Sequence, residues 1–78
     1  MKIVYTKHAE DMIVFRKLRK TDVKKCIIKP DKVLPTRENK KIYLKDFGQN
    51  YLKVIVVETE KQLIVITLYW LAKRRLKA

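Results

Sequence analysis

The chain has 78 residues and a formal net charge of +12, from 20 Lys and Arg residues against 8 Asp and Glu residues. This length allows one small domain with a single core, and the apolar content of 47% excludes a disordered chain. The charge favours a polyanionic partner, most often nucleic acid, although a solvated or heat-adapted surface would carry the same charge.

The chain begins with a predicted strand over residues 1–6 and a predicted helix over residues 7–19. Thr6 can cap this helix, because its hydroxyl is able to accept a hydrogen bond from an amide of the first turn. Arg16 falls near the middle of the apolar side of the helix. Since burial of an unpaired cation is costly, Arg16 should reach the rim of the core or a groove between helix and sheet.

A second short helix is predicted between Thr21 and Pro30. Thr21 is a candidate N-cap, and the residue before a proline disfavours helical geometry. The apolar stripe of this helix comprises Val23, Cys26 and Ile27. The two helices therefore form a hairpin that can cover one face of a sheet.

The second half of the chain predicts four strands joined by short turns. Residues 31–37 contain Pro35, which cannot donate to a neighbouring strand, so this strand should lie at an edge of the sheet. Residues 41–46 alternate between the two faces of their strand. One face carries Ile42 and Leu44, and the other carries Lys41, Tyr43 and Lys45.

Residues 51–70 predict a hairpin of two strands, 51–58 and 62–70. Nearly every residue in these strands is apolar, so we expect the hairpin at the centre of the sheet with material packed on both faces. The residues expected to contact the helices are Val54, Val56, Ile64 and Ile66. Thr67 and Tyr69 should alternate out of that core at the far end of the last strand.

The order of elements, β-α-α-β-β-β-β, predicts an α+β fold. Two N-terminal helices should pack on one face of a four- to five-stranded, mostly antiparallel sheet, with the first strand added at one side. The whole chain, residues 1–78, is then one domain that ends in a basic tail over residues 71–78.

Scarce residue types exclude several kinds of site. One glycine excludes a Gly-rich phosphate loop, and the absence of serine excludes a serine nucleophile. One Cys and one His cannot form a metal site, so we expect neither metal nor cofactor. Cys26 has the position of a buried structural thiol, and a single Cys fits a reducing, cytoplasmic compartment. No apolar run reaches the roughly 18 residues of a membrane span, and no signal peptide is recognisable, so we expect no membrane partner.

His8 is the candidate general acid or base, because imidazole changes its charge near neutral pH. It lies eight residues before Arg16, about 12 Å along a helix axis and on roughly the same side. Metal-free RNA cleavage needs such groups, since the 2′-hydroxyl of the RNA is itself the nucleophile. A packed or surface histidine is the alternative for His8.

A further group of residues is predicted to bind nucleic acid through phosphate contacts and base stacking. These residues are Arg19, Arg37, Lys41, Tyr43, Lys45, Arg74 and Arg75. Trp70, by contrast, is predicted to belong to the core.

The sequence resembles the DUF4258 proteins, which are grouped with the RelE-like toxins among barnase, EndoU, colicin and RelE-type ribonuclease folds. The segments that carry the resemblance are Tyr5-Thr6-Lys7-His8-Ala9, Arg16, Leu18, Asp22-Val23, Lys29-Pro30-Asp31-Lys32-Val33, and the strand stretches 51–56 and 64–69. Together they span nearly the whole chain.

This resemblance implies a RelE-like fold with His8, Arg16, Thr67 and Tyr69 as catalytic positions. It also implies an endoribonuclease toxin that cuts messenger RNA, including ribosome-bound messenger RNA, and is held by a small acidic antitoxin. The family pattern has an Arg four residues after the His, where this chain has Met12. Two alternatives therefore stay open: a non-catalytic nucleic-acid-binding module, and a degenerate toxin that only binds a partner protein.

Overall fold

The computed structural model describes residues 2–36 and 38–72. Its elements are β1 (Lys2–Tyr5), α1 (Lys7–Phe15), α2 (Lys20–Ile28), β2 (Lys32–Pro35), β3 (Lys40–Asp46), β4 (Asn50–Glu58) and β5 (Gln62–Ala72). This order confirms the predicted α+β fold. The last strand includes Leu71 and Ala72, which were predicted as part of the basic tail. None of the described helices is long and apolar enough to cross a membrane.

The five strands form one mixed sheet in the order β1-β5-β4-β3-β2. β1 runs parallel to β5, and the other neighbours are antiparallel. The strand with Pro35 lies at an edge, as predicted, because proline lacks the amide that an inner strand needs. At the other edge, β1 pairs only with residues Gln62–Val65, so among the described residues the second half of β5 has no strand on the side opposite β4.

α1 is shorter than predicted and ends at Phe15. Its first turn is capped as expected, since Thr6 Oγ1 accepts a hydrogen bond from the amide of Ala9 at 3.0 Å. At its end, the Leu18 amide donates to Ile13 O at 2.8 Å and the Lys17 amide donates to Val14 O at 3.2 Å. These two bonds form a Schellman motif, which stops a helix.

The early end of α1 corrects the helical position predicted for Arg16, while its side chain avoids the core as expected. Arg16 is the C-cap residue and is exposed, rather than lying in the middle of a buried helical side. Lys17 follows with a φ of 54°, the left-handed conformation that the motif requires at this position. The prediction of Thr21 as the second cap is also wrong, because α2 begins at Lys20 and its N-cap is Arg19, two residues before Thr21.

Both helices pack on the same face of the sheet, which we call the helix-covered face. The helices contribute Ala9, Ile13, Leu18, Val23, Cys26 and Ile27, and the sheet contributes Tyr43, Leu52, Val54, Val56, Leu63, Val65 and Leu68. Trp70 packs against this core, as predicted, and its ring meets that of Phe47 edge-on at 5.8 Å. Val54 and Val56 hold the helices as predicted, but Leu63 and Val65 replace Ile64 and Ile66.

A β-bulge in β5 explains which residues face the helices. Ile55 pairs with Thr67 while the next residue, Val56, pairs with Val65, so Ile66 is an extra residue without a partner on β4. The extra residue shifts the alternation by one. Leu63 and Val65 face the helices before the bulge, and Leu68 faces them after it.

The other side of the sheet, which we call the open face, has no element packed on it among the described residues. The predicted cover on both faces of the hairpin is therefore wrong. Strand register places on this face Val4, Lys32, Leu34, Ile42, Leu44, Lys53, Ile55, Val57, Ile64, Thr67 and Tyr69. Most are half-buried by their neighbours in the sheet, and Leu44 is only 3% exposed.

Candidate functional site

The shortness of β1 brings the start of α1 against the free edge of β5. The chain leaves β1 at Thr6, whose amide donates to Val65 O at 3.1 Å and whose hydroxyl donates to Ile66 O at 3.1 Å. His8 follows in the first turn of α1, and its Nε2 lies 3.2 Å from Thr67 Oγ1. A residue of the helix and a residue of the last strand thus meet at an exposed position.

The end of α1 returns to the same strand. The Arg16 guanidinium carbon lies 6.0 Å from the centre of the Tyr69 ring, and the Lys53 ammonium lies 5.3 Å from the same centre. Lys53 faces Tyr69 because the two residues are paired across β4 and β5. Two cations therefore share one aromatic ring, which attracts each of them through its π-face.

The charges of Arg16 and Lys53 are not neutralised locally. Neither forms an ion pair with a carboxylate among the described residues. Other cations of the described chain do, in the pairs Lys20–Glu10, Arg19–Asp22, Lys40–Glu38 and Lys41–Glu58. Two like charges held near one ring favour an anion between them, because an anion would remove their mutual repulsion.

We call the group formed by His8, Arg16, Lys53, Thr67 and Tyr69 the β5-edge cluster. Four of its members are the residues predicted as catalytic, and the structure brings all four together at the free edge of β5. Sequence analysis missed the fifth, Lys53. The signal was present, since Lys53 is the single charge inside the apolar run of β4 and a hairpin register pairs it with Tyr69.

Three residues predicted to bind nucleic acid do not join the cluster, because they face the helices. Tyr43 is only 8% exposed and belongs to the core, so its ring is not exposed for the predicted base stacking. Lys45 donates from Nζ to the backbone oxygen of Lys29 at 2.9 Å, which caps the end of α2. Lys41 pairs with Glu58. The hydrogen bond to this carboxylate raises the pKa of Lys41.

The structure describes only some of the remaining residues predicted to bind nucleic acid. The Arg19 side chain is 80% exposed and contacts Asp22 at the start of α2, outside the cluster. Arg37, Arg74 and Arg75 lie outside the described residues. Met12 is half-buried one turn after His8, at the position where the resemblance led us to expect an Arg.

Two features of the described residues concern metal binding and a cysteine nucleophile. No group of three or more His, Cys, Asp and Glu side chains within residues 2–36 and 38–72 is arranged to hold a metal ion. Cys26 is fully buried, its thiol donates to Leu52 O at 3.5 Å, and burial raises its pKa to about 12. It is a structural thiol, as predicted, because a thiol that stays protonated is a poor nucleophile.

A surface cavity of about 640 Å³ lies at the Glu58 end of β4, away from Lys53. Three of its lining residues are carboxylates: Glu38, Glu58 and Glu60. This composition does not suit a polyanion. The β5-edge cluster is instead an open surface, which a polymer can reach from the side.

Comparison with models of known protein families identifies the family of this chain. A family model described as a domain of unknown function, DUF4258, matches residues 5–70. The chain belongs to the DUF4258 family. No curated protein and no solved structure matches significantly. The DUF4258 match contains every member of the β5-edge cluster, so the cluster lies within the part of the chain that defines the family.

Proposed function

We propose that this DUF4258 protein is a metal-independent ribonuclease of the RelE-like toxin type, an mRNA interferase. The observation that carries the proposal is the β5-edge cluster. An imidazole lies 3.2 Å from the Thr67 hydroxyl, and two residues further along β5 the ring of Tyr69 lies 6.0 Å from the guanidinium carbon of Arg16, which forms no ion pair among the described residues. These are the groups that phosphodiester cleavage needs when the RNA supplies the nucleophile.

The reaction follows from the chemistry of RNA. The 2′-hydroxyl attacks the adjacent phosphorus, its proton leaves to a base, and the 5′-oxygen of the next nucleotide departs with a proton from an acid. The products are a 2′,3′-cyclic phosphate and a 5′-hydroxyl end. His8 acts as the acid or the base, and Thr67 orients its ring through the hydrogen bond.

The other members of the cluster act on charge and position. Arg16 holds the phosphate and stabilises the negative charge that grows on its oxygens in the transition state. Tyr69 lies beneath this guanidinium and positions the phosphate or donates a proton through its hydroxyl.

The substrate and partner follow from charge and resemblance. With a net charge of +12, the protein attracts messenger RNA, including messenger RNA on the ribosome. The same charge favours docking of a small acidic antitoxin, which would block the site until it is removed.

The direct test is a cleavage assay on total RNA with chelator present, with and without ribosomes. We expect wild type to cut RNA and leave 2′,3′-cyclic phosphate ends, and His8→Ala to cut at least about 10²-fold more slowly, as loss of a general acid or base predicts. Lys24→Ala is the matched control, because Lys24 is an exposed cation on α2 outside the cluster. Equal cleavage by wild type and a His8→Ala, Arg16→Ala double variant would contradict the proposal.

A second candidate function is a non-catalytic nucleic-acid-binding module. Met12 favours it, because a half-buried thioether cannot replace a guanidinium at the position next to His8. This alternative predicts tight binding that weakens steeply with salt, together with no cleavage. A degenerate toxin that serves only a partner would instead copurify with an acidic protein and no nucleic acid.

A further inference from the structure

The open face carries a row of cations that runs across the strands. Strand register pairs Lys32 with Leu44, Leu44 with Lys53, and Lys53 with Tyr69, and Arg16 continues the row beyond the edge of β5. Neighbouring strands are about 4.8 Å apart, so the row extends about 14 Å from β2 to β5. Leu44 is 3% exposed between the two lysines, as expected where lysine stems cover it.

A second row of the open face lies beside the first and is largely apolar. Register pairs Leu34 with Ile42, Ile42 with Ile55, and Ile55 with Thr67, and His8 continues this row through its contact with Thr67. Leu34 is 44% exposed, and the two isoleucines are half-buried. A cation row and an apolar row thus run in parallel, and both end at the β5-edge cluster.

The cation row is free to bind an external anion. Among the described residues, Arg16, Lys32 and Lys53 form no ion pair with a carboxylate, in contrast to Lys40 and Lys41. Two acids lie near the Lys32 end of the row, and both accept backbone hydrogen bonds: Asp46 from the Gly48 amide, and Asp31 from the Asp46 amide. The net charge of +12 opposes a second copy of this chain as the occupant.

The ligand that fits must present anions along one side and flat apolar surfaces along the other. Single-stranded nucleic acid has this form, because its phosphates follow one edge and its unpaired bases are exposed on the other. A duplex would hide its bases from the apolar row.

We propose that the open face is a binding track for single-stranded RNA, with phosphates on Lys32, Lys53 and Arg16 and bases on the apolar row. The track leads the strand across the sheet to His8. This track gives Lys32 and Lys53 a role in RNA binding. Its role as a route for the substrate rests on the proposed ribonuclease function. Lys32 and Lys53 act in binding and take no part in the chemical step.

Binding of a short 2′-O-methyl oligoribonucleotide, measured by fluorescence anisotropy over a salt series, tests the track. This probe cannot be cleaved, so the test does not depend on activity. We expect the Lys32→Gln, Lys53→Gln variant to bind about tenfold more weakly at moderate salt. The slope of log affinity against log salt should fall by about 1.4, or about 0.7 for each lost phosphate contact.

The matched control is Lys24→Gln, Lys61→Gln, which removes the same charge from exposed positions off the row. We expect this control to lose less than about threefold in affinity. The Lys32→Arg, Lys53→Arg variant keeps both charges and should bind the probe about as tightly as wild type. Unchanged circular dichroism spectra should show that all variants fold. Equal losses in the two Gln variants would mean that binding depends on total charge alone and would overturn the track.

A polyglutamate peptide separates RNA from an acidic protein as the occupant. If the peptide binds through Lys32 and Lys53 while the oligonucleotide does not, the track is overturned in favour of a protein-binding surface. The two proposals also fail separately. Cleavage that persists in the Lys32→Gln, Lys53→Gln variant with unchanged probe affinity overturns only the track, whereas row-dependent binding without any cleavage by wild type overturns only the ribonuclease.

Discussion

The two faces of the sheet are made by the same strands but have different compositions. On the helix-covered face, Val54, Val56, Val65 and Leu68 are completely buried. On the open face, the same stretches of β4 and β5 present Lys53, Thr67 and Tyr69. Because side chains alternate along a strand, the residues that stabilise the fold and the residues of the β5-edge cluster lie on opposite faces of the sheet. A substitution on one face should therefore leave the other face largely unaffected.

The largest difference is expected between two Leu→Ala substitutions in the sheet. Leu68 is fully buried on the helix-covered face, and Leu34 is 44% exposed on the open face. We expect Leu68→Ala to lower the free energy of unfolding by about 3 kcal/mol, and Leu34→Ala by less than about 1 kcal/mol. Urea denaturation measures both. Equal losses would show that a partner or a second copy covers the open face in solution.

A smaller effect is expected from pH on the helix-covered face. Burial raises the pKa of Cys26 from 9.0 to about 12, so between these values the unfolded chain loses this proton while the folded chain keeps it. The thiol should therefore reduce stability as pH rises above 9, by at most about 1.4 kcal/mol per pH unit, and have no effect below. Urea midpoints of wild type and Cys26→Ala from pH 7 to 10 isolate this contribution. Parallel pH curves for the two proteins would contradict it.

The smallest effect concerns the end of α1, which places Arg16 at the open edge. Lys17 has a φ of 54°, a conformation that costs a residue with a Cβ more than it costs glycine. We expect Lys17→Gly to raise the free energy of unfolding by about 0.5–1 kcal/mol, without changing RNA binding at the cluster. Lys17→Ala is the control, since it removes the same charge and retains the strain. A gain in both variants would assign the effect to charge.

The fold was predictable because its signals are local. Apolar periodicity, the Thr6 cap and the prolines at the end of α2 and in β2 are properties of short segments, and they predict the order of elements correctly. The resemblance to the DUF4258 proteins also pointed to His8, Arg16, Thr67 and Tyr69, which are four of the five members of the β5-edge cluster.

The assignment of faces was less predictable. Alternation along β3 separates Tyr43 from Ile42 and Leu44, but it does not reveal which set the helices cover. Tyr43 faces the helices because it pairs with Val54, and this pairing depends on the register between two strands. The position of Arg16 depended likewise on two backbone hydrogen bonds at the end of α1 that helical periodicity cannot show.

Thr67 and Tyr69 were correctly predicted to point away from the core. The prediction was based, however, on an incorrect assignment of Ile64 and Ile66 to the core. Strict alternation from the buried Leu63 and Val65 would have put Thr67 under the helices. The unpaired residue Ile66 reverses the alternation, so the outcome is as predicted for a different reason.

The bulge also makes the orientation of the last strand depend on one irregular step. Deleting Ile66 would leave Val65 paired with Val56 and Thr67 paired with Ile55 in consecutive, regular steps, so Thr67 and Tyr69 would stay on the open face and Leu68 under the helices. Regular pairing with Ile66 still present would instead turn Thr67 and Tyr69 toward the helices and Leu68 toward water. The β5-edge cluster would then be lost through a register slip alone, with every one of its side chains still present.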